Sequence, residues 1–131
     1  MAAGKGLVLV YLTARNSRQA GLLGSTLVRE KLAACANILG PIISIYRWKG
    51  TLHRDREVAL LLKTRASLVE ALTKRVVALH PYEIPCVIAV GIVGGLPAFL
   101  RWIETETVVS RSAVRPASRS GAGSKAAAKR R

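Results

Sequence analysis

Between Leu79 and Val87 the sequence reads LHPYEIPCV, a histidine, a tyrosine and a glutamate set between two prolines just ahead of apolar sequence. His80, Tyr82 and Glu83 bring an imidazole, a phenol and a carboxylate into one short turn. Such groups can ligate a metal, move a proton or hold a polar ligand. They can equally be punctuation. A histidine suits the last turn of a helix, where its charged form meets the negative end of the dipole, and Pro81 and Pro85 would stop that helix and open a strand. Composition alone leaves both readings standing. Cys35 is the other group of interest: a small core hydrophobe in one reading, and as a thiolate a ligand for soft metals such as Cu(I) in the other. Cys86 falls inside a strand pattern and reads as core, and His53, near a hairpin turn, reads as solvated.

Other chemistry is thinly represented. No phosphate loop, dinucleotide fingerprint, zinc finger or metalloprotease motif occurs. With two histidines and seven acids in the whole chain, neither a Ser/His/Asp set nor a working carboxylate pair can be drawn, so the chain reads as non-enzymatic. His80 and Cys86 do not match a zinc spacing, and a closed metal site would need further ligands. Tyr46, Trp48 and Trp102 are scattered, as core or interface anchors are.

The elements that must position these residues follow from hydrophobic pattern. Leu7–Ala14 is a continuous apolar run, the mark of a strand buried on both faces. Asn16 or Ser17 can cap a helix over Arg18–Leu32, whose leucines recur at helical spacing. Gly21 and Gly24 weaken that helix unless they permit close packing on a sheet. Ala34–Trp48 is strand-like but broken at Gly40-Pro41, which calls for a bulge or an edge position. A turn at Lys49–Thr51 and a strand at Arg56–Thr64 complete a hairpin. Ser67 and Glu70 form a capping-box pattern for a second helix with an apolar stripe through Leu79. Cys86–Val93 is a fourth strand, and Gly94–Thr107 a glycine turn followed by a short closing helix. The order describes an α+β, ferredoxin-like βαββαβ sandwich with a short C-terminal helix. Its strands are apolar on both faces while the helices cover only one, so oligomerisation is expected.

The 131 residues carry a net charge of +14, divided equally between residues 1–109, read as one folded domain, and residues 110–131. The latter hold seven Lys and Arg, no acid and one large aliphatic residue, and are expected to form a disordered basic tail. Such a tail attracts phosphate polyanions, so non-specific nucleic-acid contact is one expectation. Two cysteines outside any CxxC pair suit a reducing, cytoplasmic setting. No apolar run approaches the roughly 20 residues that span a membrane, and the N-terminal apolar run reads as a strand rather than a signal peptide.

Five stretches in order resemble the CutA family of divalent-cation tolerance proteins: REKLAACANI (Arg29–Ile38), SIYRWKG (Ser44–Gly50), EVALLLKT (Glu57–Thr64), LHPYEIPCVIAV (Leu79–Val90) and FLRWI (Phe99–Ile103). Together they span about residues 7–107. The resemblance implies a PII-like homotrimer closed by the long hairpin strands, with a cleft between subunits. It implies binding of copper or another divalent metal, with His80 and Cys35 as ligands, and a cleft lined by Asn37, Trp48, Lys63, Tyr82 and Glu83. Leu12 and Leu79 stand where some family members place a cysteine and a second histidine, and HRDR (His53–Arg56) replaces a more acidic hairpin segment. The alternative it leaves open is a PII-like regulatory or scaffold protein whose ligand is an anion or a protein, without metal.

Overall fold

The computed structural model describes residues 6–108, so the basic stretch 110–131 and the contact expected of it lie outside the described residues. Four strands and three α-helices follow one another as β1 (Leu7–Ala14), α1 (Ser17–Arg29), β2 (Cys35–Trp48), β3 (Thr51–Arg65), α2 (Val69–Leu79), β4 (Val87–Gly91) and α3 (Pro97–Thr105). The strands form one antiparallel sheet in the order β2-β3-β1-β4, as the ferredoxin-like reading requires.

Alternation along the strands sorts the core. Val8, Val10, Leu12 and Ala14 of β1 and Val58, Leu60 and Leu62 of β3 point to one face, where they pack against Ala20, Leu23 and Leu27 of α1 and Leu72 and Val76 of α2. Gly24 permits the close approach of α1: a Cβ there would stand 3.2 Å from the Cβ of Ala36. The second face is covered at one end only. Leu100 and Ile103 of α3 pack on Leu7 and Ala34, and Arg65 ties the helix down through Thr107 Oγ1 (2.9 Å) and the Glu104 carbonyl (2.7 Å). Beyond α3 this open face keeps apolar side chains in contact with solvent, among them Ile88 (54 % exposed) and Val90 (56 %).

The boundaries differ from the sequence reading at identifiable places. Helix α1 ends at Arg29, not Leu32, because Lys31 takes a left-handed conformation (φ 63°) and the amides of Lys31 and Leu32 return to the carbonyls of Val28 and Leu27. The capping box at Ser67 is not used: Ala66–Leu68 form a 3₁₀ turn, and α2 starts after Leu68 with no side-chain cap. Strand β3 begins at Thr51, since β2 and β3 stay paired to the turn. The break at Gly40-Pro41 is a bulge, with Leu39 unpaired in the register and Gly40 at φ +94°.

Candidate functional site

Register places Cys35 directly opposite Lys63, and Lys63 directly opposite Leu9. Residues facing each other across antiparallel strands share a face, so these three form a row on the open face, with Asn37 two residues along β2 beside them. The Lys63 ammonium donates to Asn37 Oδ1 and lies 3.5 Å from Cys35 Sγ. It is half-buried, and among the described residues the ion pairs are Lys74–Glu70 and Arg75–Glu30, so no carboxylate balances it. An ammonium has three donors, and the two contacts here leave one for a ligand. Lys63 also lines a groove of about 400 Å³ between the open face and α3, whose other walls include Leu9, Ile92, Leu96, Phe99 and Leu100. A half-buried cation at the edge of an apolar groove suits an anionic group on a small molecule.

The LHPYE turn is built differently. His80 follows α2 in an extended conformation and is buried. Its Nε2 lies 2.8 Å from the Thr13 carbonyl, and its Nδ1 accepts the Tyr82 amide at 3.3 Å. A carbonyl only accepts and an amide N–H only donates, so the ring sits as the neutral Nε2–H tautomer with both nitrogens engaged. The Tyr82 ring packs 4.3 Å from it. The buried Tyr82 hydroxyl donates to Glu57 Oε2 at 3.0 Å, and Ser44 donates to Glu57 Oε1 at 2.6 Å. Serine, glutamate, tyrosine and histidine thus bolt the turn to the hairpin and to the end of β1. Sequence reasoning did not single out Glu57 or Ser44. The one available signal was a lone carboxylate at the head of the apolar run EVALLL, a residue that must find donors once buried.

Within one chain the residues expected to line one cleft therefore separate. Glu57, which anchors Tyr82, is six residues from Lys63 along β3, or about 20 Å at a strand rise of about 3.3 Å. Trp48 closes β2 at the hairpin tip, about 40 Å along the strand from Cys35. Its ring carries the Lys49 ammonium 5.6 Å from its centroid, while its buried Nε1 has no partner among the described residues. Glu83 is exposed in the turn. The expected set therefore falls into two groups within a subunit, Cys35, Asn37 and Lys63 in one and His80, Tyr82 and Glu83 in the other. For a metal the donors do not fit within a subunit: Cys35 is level with Leu9 and His80 with Thr13, four residues or about 13 Å apart along β1, both nitrogens of His80 are used, and among the described residues no three His, Cys, Asp or Glu side chains gather.

Comparison with known proteins agrees with the fold. The family described as CutA1 divalent ion tolerance protein matches residues 8–106. The chain is 44 % identical over 100 residues to a chloroplastic protein CutA of Arabidopsis thaliana, covering 76 % of this chain and 55 % of that protein. It is 39 % identical over 99 residues to the divalent-cation tolerance protein CutA of Thermus thermophilus, covering 76 % and 96 %. Among solved structures, CutA1 from Oryza sativa superposes with a TM-score of 0.77 at 42 % identity, covering 79 % of this chain and 95 % of that one. CutA from Xylella fastidiosa gives 0.76 at 41 %, covering 79 % and 99 %. The chain spans little more than half the length of the plant relatives it matches.

Proposed function

The chain belongs to the CutA1 divalent ion tolerance protein family, and on that premise we propose that it serves divalent-cation tolerance as a non-enzymatic homotrimer holding a small anionic ligand between subunits at Cys35, Asn37 and Lys63. One observation carries this reading: the open sheet face leaves Ile88 and Val90 in water beside a half-buried lysine that no carboxylate among the described residues balances. At about 25 cal/mol per Å² of apolar surface, covering this face with other copies is strongly favourable. The unpaired edges of β2 and β4 offer backbone groups for the same purpose. In the assembly the LHPYE turn of one copy and the Lys63 row of another can meet, which a single subunit does not allow. Two cysteines outside any disulfide support a cytoplasmic setting.

Native mass spectrometry of protein purified without added metal tests this: a trimer carrying a small organic anion is expected, and a monomer would sink the proposal. A second reading has copper or another divalent metal held by Cys35 with donors from neighbouring copies. It is favoured by a half-buried thiol that borders the open face. Copper titration separates the two. Binding that Cys35→Ser abolishes and His80→Ala spares supports the metal, and equal weak binding by wild type and both variants removes it.

A further inference from the structure

The β2–β3 ribbon outgrows the helices that cover its near end. On the helix side of the sheet, beyond the bulge, Ile43, Ile45, Arg47, Leu52, Arg54 and Arg56 point outward, covered by none of the described residues of the chain, Ile45 at 63 % exposure and Leu52 at 67 %. Register pairs each aliphatic with an arginine: Ile43 with Arg56, Ile45 with Arg54, Leu52 with Arg47. Among the described residues none of the three arginines makes an ion pair or a side-chain hydrogen bond. Both acids of the ribbon lie on its other side and are engaged there, Asp55 with Tyr46 and Glu57 with Ser44 and Tyr82. The ribbon thus sorts its charge, with acids inward and satisfied, arginines outward and unpaired.

We propose that this outer face of the ribbon is a docking surface for anionic lipid headgroups. A partner must take up positive charge and aliphatic surface together. Single-stranded nucleic acid would be met by aromatic stacking platforms, whereas Tyr46, His53 and Trp48 share the opposite face. A protein interface gathers its apolar residues at a centre from which charge is depleted, whereas here the two kinds alternate as a checkerboard. At a bilayer surface that mixture is favourable: isoleucine and leucine enter the acyl boundary while the long arginine stems bend their heads back to the phosphates. A second copy of the chain is a poor match, because the folded part is itself basic and offers few free carboxylates. The inference rests on the proposed trimer closing over the open face, which is the opposite side of the sheet.

The test is co-sedimentation of the full chain with phosphatidylcholine vesicles, with and without phosphatidylserine. Binding is expected only with phosphatidylserine, falling as salt rises. The triple variant Arg47→Gln/Arg54→Gln/Arg56→Gln should weaken it about 100-fold, from about fivefold per arginine. Ile45→Ser/Leu52→Ser should weaken it about tenfold or more. A full-length variant with the seven basic residues of 110–131 changed to glutamine separates the ribbon from the tail. Circular dichroism and native mass confirm that each variant folds and assembles as wild type does. Absence of binding to phosphatidylserine vesicles overturns the proposal. So does binding that the tail variant abolishes or that survives both ribbon variants, and so does vesicle binding insensitive to Ile45→Ser/Leu52→Ser but displaced by an oligonucleotide.

Discussion

Replacing Tyr82 by phenylalanine isolates the hydrogen bond that fastens the LHPYE turn. Tyr82 and Glu57 are each 1 % exposed, and their side chains meet at 3.0 Å. Phenylalanine keeps the ring against His80, so no cavity larger than one oxygen opens. The loss is a single hydrogen bond to a carboxylate, worth about 1.5–3 kcal/mol. The carboxylate keeps Ser44 at 2.6 Å, which places the expected cost near 2 kcal/mol, about 30-fold in the folding equilibrium. Guanidinium unfolding at one fixed protein concentration reads it, because the midpoint of an oligomer shifts with concentration. Glu83→Gln, in the same turn but exposed, is the control and should stay within about 0.5 kcal/mol of wild type. If Tyr82→Phe also stays within that margin, the buried network does not hold the turn, and its polar residues need another explanation.

Other consequences are as direct. Thr64→Val removes a buried hydroxyl 2.6 Å from the Leu32 carbonyl and should cost about 1–2 kcal/mol in the same assay. Gly21→Ala enters open space on α1 and should stabilise by about 0.5–1 kcal/mol, whereas Gly24→Ala meets Ala36 at 3.2 Å and should lose that gain. Arg75 grips Glu30 through two nitrogens at 2.8 and 2.9 Å, and Arg75→Gln should cost about 0.5–1 kcal/mol. The hydrogen bond that Arg75 donates to Glu30 raises the Arg75 pKa. A raised basic group contributes its stability below its ordinary pKa and loses it only above, so the arginine side of this contribution should stay flat across neutral pH.

Much of the molecule was legible in local pattern. Continuous apolar runs marked strands, Gly40-Pro41 marked the bulge, and two strands apolar on both faces beneath helices enough for one announced an uncovered sheet. Helix ends were less legible, because Lys31 in a left-handed turn and the 3₁₀ entry to α2 are set by how the chain returns to the sheet. Ser67 had the right spacing for a capping box, yet the backbone entered the helix another way.

The candidate site shows the limit more sharply. Residue types singled out Cys35 and the LHPYE turn, since the chain holds only two thiols and two imidazoles, and the family resemblance added Lys63. Which of them meet depends on register, and register is a property of strand pairing that single-strand patterns do not contain. Pairing put Cys35 and Lys63 side by side, and packing of the turn after α2 brought Tyr82 to Glu57, six residues from Lys63 along β3. It turned His80 from a candidate ligand into a satisfied buried ring, and it aligned three arginines against three aliphatics on an outward face. The amino-acid sequence determined the elements, their order and the need for partners through hydrophobic periodicity. Tertiary structure alone decided which polar groups consume one another and which remain available, because hydrogen bonds between side chains form only where packing has already brought distant residues together.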